Sequence, residues 1–319
     1  MEMPLVEQVR SFNRTMTERV GVLTDHFLGR NHPLGEARLL WEIGEQGVEV
    51  RELRRRLSLD SGYVSRLLRS LEGQGLIVVG TSSNDGRVRQ VQLTEVGLRE
   101  RAELDQLADA FARSLLEPLS ESQRMKLVTA MAQVERLLIA SMVQITVADP
   151  TSQDARWCFE QYFAELGERF ERGFDPTLSI SAFAHELVPP AGLLLVARLR
   201  EEAVGCGALK FHEDRVGEIK RMWVAKSARG LGLGRRLLVA LEQEAREAGM
   251  TVLHLETNRT LVEAIELYRH AGYQEVEAFN DEPYAHHWFE KRIECESICR
   301  SNIRSCALWT LEKTKGGAH

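Results

Sequence analysis

The chain has 319 residues, with 41 Lys+Arg against 47 Asp+Glu and a formal net charge of −6. Its length suits two domains, each large enough for its own core, and 44% hydrophobic with 28% charged residues excludes a largely disordered, collagen-like or membrane protein. The mild acidity argues against a protein that coats nucleic acid by bulk charge, yet leaves room for one local basic face.

The opening MEMPLVEQVRSF has no basic-then-apolar signal pattern. Cys158, Cys206, Cys295, Cys299 and Cys306 are odd in number and scattered, and read as free thiols of a reducing cytoplasm. Leu5, Val9, Phe12, Met16, Val20, Leu23 and Phe27 recur at steps of three and four, one apolar face of a long helix. Helices are expected near 34–46, 50–57 and 61–74, the last ending at Gly73 and Gly75. Two short strands, 76–80 and 88–93, flank the turn Ser82-Ser83-Asn84-Asp85-Gly86. Long helices follow near 95–116 and 121–143, with Ser120 and Gln123 spaced as a capping box.

Two short helices, a turn at Ser58-Leu59-Asp60, a third helix and a hairpin predict a winged helix-turn-helix. Asp60 or Ser61 is placed to cap the third helix. On it Val64, Leu67, Leu68 and Leu71 face inward, and Ser61, Ser65, Arg66 and Arg69 face away. Hydroxyls and guanidinium groups near a helix start suit a major groove. Arg87 and Arg89 on the hairpin suit the narrow, negative minor groove. The stretch 51–69 holds six arginines against Glu52 and Asp60.

DSGYVSRLLRSLEGQGLI followed by NDGRVRQVQLTEVG resembles the MarR regulators over about residues 5–143. The resemblance implies a homodimer held by the first and last helices and bound to a pseudo-palindromic, double-stranded operator. It implies DNA contact at Ser61, Ser65, Arg66, Arg69, Arg87 and Arg89. Gly80-Thr81-Ser82-Ser83 departs from the pattern, where the family often has an arginine.

From about 144 the pattern changes. A strand at Ile145-Thr146-Val147 is followed by a helix near 152–171 and strands near 193–199, 203–212 and 217–225. Helices near 233–248 and 261–271 and strands near 252–256, 273–279 and 284–292 complete the reading. Arg229-Gly230-Leu231-Gly232-Leu233-Gly234 lies between a strand and a helix. Glycines there let backbone N–H groups approach a phosphate, and the helix adds free N–H groups and the positive end of its dipole. A nucleoside triphosphate loop would need Gly-Lys-Ser/Thr, but Arg235-Arg236 follows Gly234. A dinucleotide fold needs such a loop after its first strand, and three hairpin-like strands precede this one.

This order of elements, with Arg229-x-x-Gly232-x-Gly234 and LVEAIELYRHAGY, resembles the GNAT acyl-CoA N-acyltransferases over about 145–293. The expected fold is therefore multidomain: a mainly α winged helix-turn-helix, then an α/β (α+β) acyltransferase with a mixed central sheet. The resemblance implies acetyl-CoA as co-substrate. Main-chain groups of Met222, Trp223 and Val224 would pair with the pantetheine arm. Backbone of Gly230, Leu231, Gly232, Leu233, Gly234 and Arg235 would hold the pyrophosphate, with charge from Arg229. Tyr268 would protonate the departing thiolate, and Thr260 with Glu263 would cap its helix. Glu218 would take the proton from the amine; its alternative is a strand carboxylate paired with Lys220 or Arg221. Leu261 stands where the family often has Asn, and Asn258 is the expected substitute as a pantetheine contact.

Cys295-x3-Cys299-x6-Cys306 lacks a paired knuckle and a fourth ligand, so no metal is expected. Trp157, Phe159, Tyr162, Phe163 and Phe170 read as core and substrate-pocket wall. The expected organisation is 1–143 for DNA binding and dimerisation, 144–293 for acetyl transfer, and a tail at 294–319 without an assigned role. The expected function is a cytoplasmic transcriptional regulator that also acetylates a small amine. The alternative is a pure regulator whose second domain is an inactive acetyl-CoA or amine sensor.

Overall fold

The computed structural model describes residues 3–20, 27–29, 32–81, 88–180 and 182–294. Arg87, the turn 82–86, residues 21–26, the three C-terminal cysteines and all but the first residue of the 294–319 tail lie outside them. The chain divides into two compact units, Met1–Ala132 and Gln133–His319.

In the first unit, α1 (Met3–Val20) is followed by α2 (Leu34–Ile43), β1 (Val48–Glu49), α3 (Val50–Leu57), α4 (Ser61–Gly73), β2 (Ile77–Thr81), β3 (Arg89–Leu93) and α5 (Glu95–Leu116). The strands form an antiparallel sheet ordered β1-β3-β2. The two-residue β1 is too short to register as alternation and was not expected. Helix α2 stops three residues before the expected end, where Gly44 takes a φ of 64°. Asp60 caps α4 by accepting from the Tyr63 N–H at 2.9 Å. Val64, Leu67, Leu68 and Leu71 of α4 are buried against Leu39, Leu40, Leu53 and Ile77.

The Leu-Thr-x-x-Gly stretch that opens α5 has a steric cause. Thr94 Oγ1 accepts from the Gly97 N–H at 3.0 Å and donates to the Gly75 carbonyl at 2.7 Å. This draws α5 so close to the strand that a Cβ on Gly97 would stand 1.9 Å from the Leu76 carbonyl oxygen. Only glycine fits. Gly97→Ala should therefore destabilise this unit by about 3–4 kcal/mol, read as an earlier unfolding transition in calorimetry; an unchanged transition would mean that this close approach is absent.

Helix α6 (Glu121–Ser141) starts with the expected box: the Ser120 N–H donates to Gln123 Oε1 at 3.0 Å, and the Gln123 N–H to Ser120 Oγ at 3.4 Å. The division between units falls inside α6 rather than at its end. Beyond it, the Arg236 guanidinium holds the Val143 carbonyl at 2.8 Å and also the Ala140 carbonyl.

The second unit contains β4 (Gln144–Val147), α7 (Gln153–Arg169), β5 (Gly192–Leu199), β6 (Glu202–Phe211), β7 (Val216–Val224), α8 (Leu233–Glu247), β8 (Val252–Thr257), α9 (Val262–His270), β9 (Gln274–Val276) and β10 (His287–Arg292). Its mixed sheet runs β4-β5-β6-β7-β8-β10-β9. Every pair is antiparallel except β7 with β8. The near-continuous apolar run of β5 is buried on both faces, as expected for a strand inside a covered sheet. Among the described residues no helix is long and apolar enough to cross a membrane.

Candidate functional site

On the first unit, Ser61, Arg66 and Arg69 of α4 are exposed and Ser65 is half-buried. Arg66 lies over the Tyr63 ring at 5.5 Å, and Arg69 Nε donates to the Ser65 carbonyl at 3.2 Å. These contacts hold both guanidinium groups along one helix face. Arg89 opens β3 and is exposed. The structure thus brings five of the six expected DNA-contacting residues onto the helix and hairpin; the sixth, Arg87, is outside the described residues.

On the second unit, β7 and β8 pair only from Val216↔Val252 to Glu218↔His254. Beyond Glu218 the two strands have no ladder between them, so the backbone of Met222, Trp223 and Val224 has no strand on that side. A register irregularity against β6 falls at the same place, where Arg221 takes a φ of 52°. Bulges of this kind re-aim side chains beside functional sites.

The opening leads into a cleft of about 470 Å³. Its lining includes Met222, Trp223, Val224, Arg229, Gly230, Gly232, Leu233, Gly234 and Arg235. Leu231 instead packs against the core. Gly232 is the residue before α8, with φ 71° and no side-chain cap. The first N–H groups of this 15-residue helix therefore face the cleft without a capping side chain. That donor set, the dipole, Arg229 and Arg235 fit a diphosphate. Glu165 of α7 braces the cleft: it accepts from Trp223 Nε1 at 2.9 Å and from Arg229. Burial pushes the Glu165 carboxyl up, but those hydrogen bonds outweigh it and hold it below the usual range.

A second cavity of about 100 Å³ adjoins the cleft. Tyr162, Leu166, Met222, Leu261, Ala264 and Tyr268 line both. Tyr268 is buried, its ring packed against Tyr273 and Phe289 with centroids 6.0 Å away. Among the described residues its hydroxyl makes no hydrogen bond, and Tyr268 borders both the cleft and the cavity. Burial, with the neighbouring Glu256 charge, pushes this phenol well above its ordinary range, so the hydroxyl keeps its proton.

Glu218 does not line the second cavity. It is held by His212 Nε2 at 2.9 Å and Lys220 Nζ at 3.1 Å. Burial pushes Glu218 up, and Lys220 and His212 more than offset that, leaving it below the usual range. The carboxylate that does line the cavity is Glu256, at the carboxyl end of β8. Lys220 binds its Oε1, and its Oε2 is buried without a hydrogen-bond partner. Burial pushes the Glu256 carboxyl above the usual range despite Lys220, with Glu218 and Glu282 adding repulsion. Sequence reasoning missed Glu256. The available signal was a lone acid at the end of an alternating strand, where open α/β sheets place ligands.

Asn258 also lines the second cavity rather than the cleft. Its Nδ2 donates to the Tyr284 carbonyl at 2.7 Å, and its Oδ1 accepts from the Thr260 N–H at 3.0 Å. The expected Thr260–Glu263 box is therefore not formed: α9 begins after Leu261 without a side-chain cap. Glu263 pairs with Arg169 at 2.8 Å instead. Tyr162, Phe163 and Phe170 are cavity wall as expected. Among the described residues no group of three or more His, Cys, Asp or Glu is arranged to hold a metal ion.

Comparison with known proteins gives two family matches. Residues 154–273 match the acetyltransferase (GNAT) family, and residues 30–88 the MarR family. The chain is 44% identical over 146 residues to an IAA acetyltransferase of Azospirillum brasilense, covering 45% of this chain and 92% of that protein. It is 31% identical over 123 residues to the uncharacterized N-acetyltransferase YjgM of Escherichia coli, covering 37% and 72%. A crystal structure of a GNAT-family acetyltransferase from Staphylococcus aureus aligns with 15% identity and a TM-score of 0.42, over 48% of this chain and 99% of that one.

Proposed function

We propose one reading for this chain, which belongs to the GNAT acetyltransferase family, is an acetyl-CoA-dependent N-acyltransferase and carries a MarR-family segment. It regulates transcription through the first unit and acetylates a small amine in the second. The observation that carries the reading is the meeting of the glycine-cradled cleft and the second cavity at Tyr268, with Glu256 in the wall of the cavity.

Acetyl-CoA supplies an acetyl thioester. Transfer to a neutral amine needs one proton to leave nitrogen and one to reach the departing sulfur, and an acceptor that arrives as its ammonium form first gives up one further proton, which leaves to solvent. The raised Glu256 carboxyl is suited to accept the first. Tyr268, protonated at neutral pH, is suited to donate the second. Glu218 then acts at one remove, holding Lys220, which holds Glu256. The α8 N–H groups, Arg229 and Arg235 bind the diphosphate, and the open side of Met222–Val224 aligns the pantetheine arm. A base must be ionised to work, so kcat/KM should rise with pH through the elevated Glu256 titration. In Glu256→Gln that rising limb should vanish and kcat/KM should fall ~10²–10⁴-fold; a wild-type pH profile in this variant would remove Glu256 from the role.

Apolar side chains left exposed on α1 and on α6, the helix that the division between the units crosses, support a homodimer through these two helices. On α6 Met125, Leu137 and Leu138 are 63%, 64% and 59% exposed, and α1 exposes Leu5 and Val9 at 60% and 59%. Stripes of this extent mark association surfaces. Two recognition helices then meet successive major grooves of an operator. The test is a gel shift on DNA upstream of its own gene. Arg66→Ala should cost ~1–3 kcal/mol and relax specificity at one position per half-site. Unchanged binding would take α4 out of the DNA interface.

A further inference from the structure

We propose that the second cavity selects a compact primary amine on an aromatic or branched apolar skeleton, its ammonium group against Glu256 and its apolar part against a wall of rings. The proposal rests on the acetyl-transfer reading above and names the acceptor class.

Four observations carry it. First, the wall is aromatic. Phe163 and Phe174 stack at 5.6 Å, Phe174 meets Tyr284 at 4.8 Å, and Phe170 meets Tyr284 at 5.7 Å. All four rings line the cavity. Such rings favour apolar groups, and their faces favour cations.

Second, the wall holds a carboxylate oxygen without a donor. Glu256 Oε2 is buried without a donor, while its other oxygen is bound by Lys220. An ammonium N–H satisfies that oxygen; a hydroxyl does so without matching its charge. Third, the second carboxylate of the wall and the Arg221 guanidinium have partners of their own. Glu282 accepts from Ser179 Oγ at 2.9 Å, the Ile180 N–H at 2.6 Å and the Tyr284 N–H at 3.2 Å, so it pins the loop that carries Phe174. The Arg221 guanidinium lies over Phe159 at 4.3 Å and donates to the Ala182 carbonyl at 2.6 Å. A carboxylate-bearing acceptor would meet Glu256 and Glu282, and the cations of the wall are Lys220, paired with Glu218 and Glu256, and Arg221, held on Phe159 and the Ala182 carbonyl. Fourth, about 100 Å³ is a small space. It is smaller than the engineered apolar cavity of about 150 Å³ that takes benzene, so a ring would extend toward the adjoining cleft past Met222 and Tyr268, and a polyamine or aminosugar is too large for the cavity itself.

The test is calorimetric titration of the full-length protein, with and without saturating CoA, using benzylamine, ethanolamine, spermidine and phenylacetate. Benzylamine is expected to bind at least tenfold more tightly than the other three. Phe174→Ser should remove that advantage while CoA affinity stays unchanged. Ethanolamine, spermidine or phenylacetate binding as tightly as benzylamine would overturn the proposal, as would no benzylamine binding in either condition. Absence of CoA binding would count instead against the acetyl-transfer reading, and the comparison among the four compounds would still decide the acceptor class.

Discussion

Tyr268→Phe should lower kcat by ~10²–10⁴-fold and leave acetyl-CoA affinity nearly unchanged. The substitution keeps the ring that packs on Tyr273 and Phe289. It removes only a hydroxyl that has no hydrogen-bond partner among the described residues. A merely structural hydroxyl would show its loss as stability, through a broken hydrogen bond, and here there is no such bond to break. A folded, acetyl-CoA-binding variant with near-normal turnover on an accepted amine would reject the proton-donor role. Burial makes the phenol a weaker acid than usual. It therefore stays protonated across the neutral range, and loss of this donor should not be recovered by lowering pH.

Gly232→Glu should abolish acetyl-CoA binding, a loss of more than about 2.7 kcal/mol or 100-fold, in a protein that still folds. At φ 71° any residue but glycine is strained, by ~1–2 kcal/mol. A Cβ there meets nothing within 4 Å, so the added side chain has room. Its carboxylate stands at the start of α8, where it would take the helix N–H groups for itself and repel a diphosphate. Calorimetry on the purified variant measures this directly. Retained affinity would move the diphosphate away from the glycine cradle.

Both variants act on features that were legible in the sequence, and for the same reason. The glycine loop, the Asp60 cap and the Ser120–Gln123 box are set by residues within a turn of one another, so spacing alone indicates them. Val64, Leu67, Leu68 and Leu71 were legible as the inner face of α4 because helical periodicity needs no partner to be seen. The box at Thr260 and Glu263 has the right spacing and still does not form. Its outcome is decided by Arg169, which binds both the Thr260 carbonyl at 2.7 Å and Glu263, and by Asn258. Glu256 was hidden for a related reason. Its burial and its raised carboxyl, which Lys220 from β7 only partly offsets and Glu218 and Glu282 reinforce, come from groups distant in sequence, which no local pattern encodes. The ring wall joins α7, the segment that follows it and Tyr284, which are brought together only by the finished fold. Gly97 was visible as part of a family pattern, but its cause, the Leu76 carbonyl, is a contact across the unit.

The most direct test of the central claim, that one chain both reads DNA and acetylates an amine, uses a single preparation of the full-length protein. Acetyl-CoA and benzylamine are added, and free CoA and N-acetylated amine are quantified by mass spectrometry, while a parallel sample is titrated onto DNA from upstream of its gene. The account predicts matched, protein-dependent formation of CoA and acetylated amine, lost in Tyr268→Phe, together with operator binding lost in Arg66→Ala. Acetyl-CoA that binds but is never consumed with benzylamine or any amine of a metabolite extract, beside intact operator binding, would contradict the account and make the second unit a sensor.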